Sequence, residues 1–399
     1  MLAAAAGVSA AALASVTLIR RHESTTPTAR PATPGSVSAA TPDTSSASAT
    51  QHPDGRRPRA GFIAADGARL IRDGATFRPY GFNDTARGIG AGTYFANPTE
   101  TQFARVREDL IGAKRLGANS VRIFLELHDF VERSPDGTVH ARTDRIRAYG
   151  RVLREAERLG IALDVTGNLA WKPGTTPPWY DALDNEARWD VQATFWTAVA
   201  RESADSPAVL CYELTSEPAI SADPHAAWYT GRFGDYDFLQ VIARGVPEAQ
   251  QADTARAWTR TLREAIERED PDHLVGIGLL PFATGPVSPT TLADELDLLV
   301  LHDYPVGTAD DPHAIDPHVA TARAFASHGI PVLLGETAAV HSDVATERRY
   351  LRAVAPVVAG TMSFYDGRNP RTMRVETIPD AMYRDNLRAY LALRDELGA

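Results

Sequence analysis

The chain has 399 residues, of which 44% are hydrophobic and 23% charged, a composition typical of a globular protein with a large core. Its net charge of -10 and its scattered arginines argue against a nucleic acid partner, because phosphate binding needs clustered Lys and Arg. The single cysteine, Cys211, leaves no disulfide within the chain, and without CxxC or HExxH spacings we expect neither a metal nor an organic cofactor.

The first segment, residues 1–21, contains an uncharged, alanine-rich stretch at 2–19. It is long enough for a signal-peptide core or a possible membrane tether. Arg20 and Arg21 follow this stretch, whereas a secretory signal carries its positive charge before the apolar core. Three interpretations stay open: the end of a longer signal, a poor anchor, or a disordered alanine tract. We expect a secreted or cell-surface protein.

The second segment, residues 22–60, is rich in Ser, Thr, Pro and Ala and has almost no large apolar side chain. Such a segment cannot offset the conformational entropy that folding costs. It predicts a disordered tether, of the kind that joins an anchor to an exported domain. The folded domain is therefore expected over 61–399.

Within 61–399 the pattern alternates between strand-like and helix-like segments. Asp66-Gly67 and Asp73-Gly74 separate short apolar runs, which predicts a small β-hairpin before a first barrel strand over 77–82. Seven further strand-like runs follow, with helix-like segments between them. Eight strands alternating with helices predict an α/β fold, the (β/α)8 TIM barrel, rather than an open doubly wound sheet.

The carboxyl ends of the predicted strands carry polar and aromatic residues. Because barrel enzymes build their sites at these ends, we interpret these residues as candidate site residues. Two are glutamates that end apolar runs, Glu217 in YELTSEP and Glu336 in PVLLGET. The others are candidate substrate-binding residues: Arg122, His128, Asn168, Trp171, Ser216, His302, Tyr304 and Tyr365.

Two strand-end glutamates suggest cleavage of a glycosidic bond. One carboxylic acid would protonate the leaving oxygen, and one carboxylate would meet the anomeric carbon from the other side. A guanidinium such as Arg122 would keep the second group ionised. A separation of about 5 Å between the carboxyl groups gives retention and about 6.5–9.5 Å gives inversion, and the residues alone leave both open. Glu213 lies deeper in the same strand, so we expect it to be buried and hydrogen bonded.

The order of these residues along the chain resembles a known family. Arg122 on strand two, Glu217-Pro218 on four, His302-x-Tyr304 on six and Glu336 on seven are similar to the retaining hydrolases of glycoside hydrolase clan A, family 5 (cellulase-like). The resemblance covers roughly Gly61 to the C-terminus. It implies that Glu217 is the general acid/base and Glu336 the nucleophile, that Arg122 supports Glu336, and that His302 and Tyr304 line the cleavage subsite.

The chain departs from this family's pattern at two positions. Ser216 stands where the family usually has Asn before the acid/base, and Phe364 and Tyr365 stand where it tends to have Trp at the end of strand eight. Both changes leave the carboxylate chemistry intact and bear on the choice of sugar.

Two aromatic-rich loops are candidates for the walls of the site. Trp171, Trp179 and Tyr180 follow strand three, where they would either form a subsite or pack on one another. The long segment 219–249 follows the Glu217 strand and predicts a lid or subsite wall, or else a packed insertion.

The sequence thus predicts a retaining β-glycosidase with a carbohydrate substrate, a neutral glucan- or mannan-type polymer or oligosaccharide. One alternative is a catalytically weak or inactive carbohydrate-binding barrel protein, which the Ser216 and strand-eight changes would fit. Another is a barrel hydrolase that uses a metal, which would need His and Asp ligands converging at the strand ends.

Overall fold

The computed structural model describes residues 59–85, 91–170, 174–233 and 236–398. The segment predicted as signal or anchor and nearly all of the predicted tether lie outside these residues, so the division of the chain at 21 and 60 stays a prediction. The folded part begins with the expected hairpin, which a third short strand extends to an antiparallel sheet: β1 (Ile63–Asp66), β2 (Arg69–Arg72) and β3 (Ala75–Thr76).

Eight parallel strands form a closed barrel, which confirms the predicted (β/α)8 fold. The first barrel strand begins three residues later than expected, at Tyr80 rather than at Phe77. The remaining strands coincide with the apolar runs to within a few residues. In chain order the barrel strands are β4 (Tyr80–Asp84), β5 (Ser120–Glu126), β8 (Ala162–Asn168), β9 (Val209–Ser216), β13 (Leu274–Leu279), β14 (Leu299–His302), β16 (Val332–Glu336) and β18 (Gly360–Tyr365).

Helices follow the barrel strands and pack around them. Their ends have ordinary capping chemistry: Thr99 accepts from the backbone N–H of Gln102, and Gly160 closes its helix in the left-handed conformation. The helices over the described residues are α1 (Ala91–Ala96), α2 (Glu100–Arg115), α3 (Leu127–Phe130), α4 (Thr143–Leu159), α5 (Pro178–Asp181), α6 (Asn185–Ser203), α7 (Glu248–Glu267), α8 (Pro289–Leu292), α9 (Asp316–Ala326), α10 (Val344–Val354) and α11 (Ile378–Ala392). None of them is long and apolar enough to cross a lipid bilayer.

Four short strands lie in loops, and three more form a sheet in the segment after Glu217. Two pairs are β6 (Val131–Arg133) with β7 (Val139–Ala141) and β15 (Val306–Gly307) with β17 (His341–Ser342). The third group is the sheet β10 (Pro218–Ile220), β12 (Tyr236–Ala243) and β11 (Tyr229–Phe233).

The barrel interior changes from apolar to polar along its axis. At the amino-terminal end, Ile63 and Leu70 of the small sheet pack with inward-facing residues such as Leu274 and Leu333. At the carboxyl end the inward side chains are polar and fully buried, among them Arg122 and Glu213. Buried polar groups need partners, so the polar end of the barrel is where a connected network is required and where a site can form.

Candidate active site

Glu217 and Glu336 meet at the carboxyl end of the barrel. Glu336 is the last residue of β16, and Glu217 directly follows β9. One oxygen of each carboxyl group and one ring nitrogen of His302 lie within 4.8 Å of one another. Both glutamates are more than nine-tenths buried. The two carboxyl groups therefore face each other across a short gap on one rim of the barrel.

Glu217 sits in a strained backbone conformation. Its φ is +52°, in the left-handed region that residues other than glycine rarely adopt. The neighbouring strands hold it there, because its N–H donates to the carbonyl of Gly278 at 2.8 Å and its carbonyl accepts from the N–H of Gln240 at 3.2 Å. Such strain costs on the order of 1–3 kcal/mol and persists where surrounding structure fixes it, commonly at functional sites.

His302 lies between the two glutamates. Its Nδ1 is 2.9 Å from Oε1 of Glu217 and 3.7 Å from Oε1 of Glu336. The ring has room only because residue 278 is glycine: a Cβ there would lie 2.8 Å from Cε1 of His302 and 2.3 Å from Oε1 of Glu213. Gly278 is thus needed for the position of the imidazole.

Arg122 is the cation of the site and is fully buried. Its guanidinium donates to Oε1 of Glu336 and to both carboxylate oxygens of Glu213, one of them at 2.8 Å. It also donates to Oδ1 of Asn83 and to Oγ1 of Thr166, each at 2.9 Å. Glu213 is therefore buried and hydrogen bonded, in the position that the sequence predicted for it.

Each oxygen of Glu336 has a donor. Arg122 donates to Oε1, and the hydroxyl of Tyr304 donates to Oε2 at 2.6 Å. The strand below is held by Asn83, whose amide donates to the carbonyl of Gly335 at 2.7 Å. Oε2 of Glu217, in contrast, is buried and has no partner among the described residues. Both oxygens of Glu336 are thus hydrogen bonded, whereas one oxygen of Glu217 has no partner in the described part of the chain.

These contacts shift the pKa values of the two glutamates in opposite directions. Burial raises the pKa of Glu217, and the hydrogen bond from His302 offsets only part of this. Burial also acts to raise the pKa of Glu336, but the charges of His302 and Arg122 and the hydroxyl of Tyr304 outweigh it, so that this pKa lies below its ordinary value. A protonated Glu217 beside an ionised Glu336 is the combination that an acid and a nucleophile need.

A further carboxyl group lies below Arg122 in the barrel. Burial, and then the charge of Glu213, raise the pKa of Asp164 to about 8 in spite of Arg122. The thiol of Cys211 donates to Asp164 at 3.4 Å and is itself fully buried, as expected for a core strand residue. Asp164 is therefore neutral at pH 7, whereas Glu336, with its lowered pKa, carries a negative charge beside Arg122.

Asn168 and Ser216 lie side by side next to Glu217. Oδ1 of Asn168, at the end of β8, accepts from the backbone N–H of Ser216 at 3.3 Å. His128 lies in α3, just beyond β5, with its ring nitrogens 3.6 Å from carboxylate oxygens of Glu126 and Asp129. The part that these three predicted residues play in binding stays a prediction.

The structure contradicts one sequence prediction, that Tyr365 at the end of strand eight contributes to the site. Tyr365 does not face the site: it is buried outside the barrel wall, its ring against that of Phe82, and its hydroxyl donates to the carbonyl of Gly367. Successive residues of a strand face opposite sides, so Phe364 faces inward instead. Its ring stacks on that of Tyr304, with centroids 6.2 Å apart.

In the loop after strand three, the described aromatic residues pack against their neighbours and do not form an open aromatic surface. Trp171 lies outside the described residues. Tyr180 is fully buried and stacks on the guanidinium of Arg188 at 3.9 Å. Trp179 is partly buried and lines a cavity of about 200 Å³ between the β6–β7 hairpin and α6. These two aromatics pack within the loop and against its neighbours.

The segment after Glu217 is joined to this same loop. Oε1 of Gln240 accepts from the backbone N–H groups of Leu169 and Ala170, and its amide nitrogen donates back to the Ala170 carbonyl at 2.8 Å. The indole N–H of Trp228 donates to the carbonyl of Asp181 at 3.0 Å. The insertion thus packs against the loop after strand three, while its function as a lid or wall stays a prediction.

Sequence reasoning missed two residues that organise the site, Asn83 and Gln240. Asn83 stands at the end of the first strand in YGFND, and its place at a strand end was a usable signal. Gln240 belongs to a strand of the insertion, and nothing in its local pattern points to the site.

Within the described part of the chain, one group of acidic and imidazole side chains could hold a metal: Glu217, His302 and Glu336. The oxygens of Glu336 already accept from Arg122 and Tyr304. A guanidinium bonded to a ligand oxygen opposes a cation at the same place, so this group fits proton transfer better than metal binding.

No protein-family model and no curated protein sequence matches the chain. Solved structures share its fold at low sequence identity. An endo-1,4-β-mannanase from Rhizomucor miehei is 17% identical with a TM-score of 0.59, covering 84% of this chain and 99% of its own. A β-mannanase from Mytilus edulis is 16% identical with a TM-score of 0.59, covering 84% and 97%. A GH5_18 protein from Streptomyces cattleya, in complex with Manβ1-4GlcNAc, is 18% identical with a TM-score of 0.55, covering 80% of each chain.

Proposed function

We propose that this protein is a retaining β-glycosidase of the glycoside hydrolase family 5 type, acting on β-linked mannan-type sugars outside the cytoplasm. The observation that carries the proposal is the pair of buried carboxyl groups, with oxygens within 4.8 Å of each other and pKa values shifted in opposite directions. Retaining enzymes keep their two carboxyl groups about 5–5.5 Å apart, whereas inverting enzymes leave room for a water between them.

The reaction follows from the partners of each carboxyl group. Glu217, protonated in its buried position, gives its proton to the glycosidic oxygen as the bond to the anomeric carbon breaks. Glu336, held by Arg122 and Tyr304, attacks that carbon and forms a glycosyl ester. Glu217, now ionised, then takes a proton from water, whose oxygen attacks the same carbon and frees Glu336.

The choice of sugar rests on similarity. Mannanases and a protein with bound Manβ1-4GlcNAc share the fold, which favours mannan-type sugars over glucan. Ser216 and Phe364 depart from the expected pattern of family 5, and they lie close to Glu217 and Tyr304 respectively. They are therefore the positions at which we expect this chain to differ in its preferred sugar.

The test is the substitution Glu336→Gln, assayed for release of reducing sugar from β-mannan. We expect a loss of at least about a thousandfold, because the amide cannot attack the anomeric carbon. Glu396→Gln, at an exposed ion pair with Arg352, is the matched control and should retain full activity. Activity retained in the Glu336 variant would contradict the proposal. A wild-type protein that binds mannan and releases no sugar would instead be a carbohydrate-binding barrel.

A further inference from the structure

We propose that Asn168 supplies the amide that holds the 2-hydroxyl of the sugar at the point of cleavage, a role that rests on the proposed glycosidase function. Strand three, rather than the strand that carries the acid/base, would then provide this contact. The side-chain amide nitrogen of Asn168 lies near Glu217 and is buried without a hydrogen-bond partner in the part of the chain that the structure describes.

Asn168 faces the barrel interior at the end of β8. Thr166, two residues earlier on the same strand, contacts Arg122 and Glu213, so the alternation of side chains directs residue 168 inward as well. Asn168 is 1% exposed, and its Nδ2 has no hydrogen-bond partner among the described residues. A buried amide donor without a partner is unfavourable, so a ligand oxygen that accepts from it would remove that penalty.

The orientation of the amide follows from its other contact. Oδ1 accepts from the backbone N–H of Ser216, and the opposite orientation would set two donors against each other. The free group of Asn168 is therefore its NH2, a donor. Ser216 itself has a side chain one bond shorter than Asn and no amide group, so the amide next to Glu217 belongs to the neighbouring strand.

The position of Asn168 relative to Glu217 is fixed by Gln240. The Gln240 side chain bonds the backbone of Leu169 and Ala170, directly after Asn168. Its own N–H donates to the carbonyl of Glu217 at 3.2 Å. One buried residue thus ties both strand ends together, and a site held this rigidly can favour the transition state over the ground state.

The 2-hydroxyl is the group that this amide can reach. The anomeric carbon lies between the carboxyl groups of Glu217 and Glu336 during the reaction, and the 2-hydroxyl is the hydroxyl on the adjacent carbon. Oε2 of Glu217 and Nδ2 of Asn168 are both buried and have no partner within the described ranges of the chain, and they lie on neighbouring strands at one end of the barrel. Hydrogen bonds to the 2-hydroxyl strengthen in the transition state, so a preorganised donor there accelerates cleavage.

The experiment compares Asn168→Asp and Asn168→Ala with the wild type on an aryl β-mannoside and on its 2-deoxy analogue. Asn168→Asp keeps the shape and the acceptor for Ser216 and removes the donor. We expect kcat/KM on the mannoside to fall by about 100-fold in both variants, and that on the 2-deoxy analogue by less than about threefold. Asn185→Asp, an amide that bonds Arg244 outside the barrel, is the matched control and should lose activity on neither substrate.

Equal losses on both substrates would overturn the proposal and leave Asn168 a structural residue. A second arm measures binding of methyl β-mannoside and its 2-deoxy analogue to a Glu336→Gln protein by calorimetry. In that protein, Asn168→Asp should weaken binding of methyl β-mannoside and leave binding of the 2-deoxy analogue unchanged. If the ratio of the affinities for the two sugars does not change, the proposal is also overturned. A wild type that hydrolyses no aryl glycoside would contradict the glycosidase function, while the binding arm still decides the role of Asn168.

Discussion

Nδ1 of His302 lies 2.9 Å from Oε1 of Glu217, so the imidazole and this carboxyl group share a hydrogen bond inside the barrel. Burial alone would lower the pKa of His302, but the charge of Glu336 and the bond to Glu217 raise it above its ordinary value. In turn, the imidazole lowers the pKa of both glutamates. We therefore expect the pH range of the proposed activity to depend on His302, although this residue has no part in the proposed bond-making steps.

Replacing His302 with Ala should move the pH profile to higher values. The pKa of Glu336 sets the acidic limb and that of Glu217 the alkaline limb, and both rise when the imidazole is removed. We predict an upward shift of both limbs of kcat/KM, measured on an aryl β-mannoside between pH 4 and 10. His313→Ala, at an exposed histidine paired with Asp316, should leave the profile in place. Unchanged limbs in the His302 variant would contradict the coupling.

Replacing Glu217 with Ala should produce a loss that depends on the leaving group. A phenyl glycoside needs a proton on its leaving oxygen, and we predict a fall in kcat of about 100- to 10,000-fold. A 2,4-dinitrophenyl glycoside leaves without a proton, so formation of the glycosyl ester should slow far less. Added azide should then raise turnover by attacking the ester. Equal losses on both substrates would argue against general acid catalysis by Glu217.

Replacing Arg122 with Met should destabilise the fold as well as the site. Arg122 is fully buried among Glu213, Glu336 and Asp164, and its removal leaves buried carboxyl groups without the guanidinium that binds them. We predict a loss of about 3–5 kcal/mol in the free energy of unfolding, measured by urea denaturation. Arg352→Met, which breaks an exposed pair with Glu396, should cost less than about 1 kcal/mol. Similar losses in the two variants would contradict the prediction.

Glu347 should make the free energy of unfolding depend on pH. This residue is buried near the end of β16, where Thr337 donates to its Oε1 at 2.8 Å, and burial raises its pKa to about 8. In the unfolded chain its pKa returns to about 4.5. Its contribution to stability is therefore complete below pH 4.5 and is lost as the pH rises to about 8.

Glu347→Gln keeps the acceptor for Thr337 and removes this titration. As the pH rises from 5 to 8.5, the wild type should lose stability and the variant should not. We predict that the free energy of unfolding of the variant relative to the wild type rises by on the order of 5 kcal/mol at most. Urea unfolding at both values measures the difference, and Glu376→Gln, at an exposed glutamate, serves as the control. If the free energies of unfolding of the variant and the wild type differ by the same amount at pH 5 and at pH 8.5, the raised pKa of Glu347 is contradicted.

The barrel could be predicted because most of its strands are apolar runs and helices such as α4 have the spacing of an amphipathic segment. The strand ends also located Glu217, Glu336, His302 and Tyr304, since parallel strands bring their carboxyl ends to one rim. Gly160 marked the end of a helix because the left-handed position there favours glycine.

Other features depend on contacts that no local pattern encodes. The run GTMSFY does not say which of Phe364 and Tyr365 faces inward, because a shift of one residue exchanges the two faces of a strand. The bond from Gln240 to the end of β8 joins residues about 70 positions apart. The strain at Glu217 comes from hydrogen bonds with neighbouring strands, so the sequence gives no sign of it.

The roles proposed for Glu217 and Glu336 require a covalent glycosyl ester and therefore retention of configuration at the anomeric carbon. Proton NMR of the sugar first released from an aryl β-mannoside tests this most directly, because it gives the configuration at the anomeric carbon before mutarotation. We predict that the β anomer appears first and the α anomer follows only as the solution equilibrates. Initial release of the α anomer would mean single displacement by water and would contradict the role of Glu336 as nucleophile.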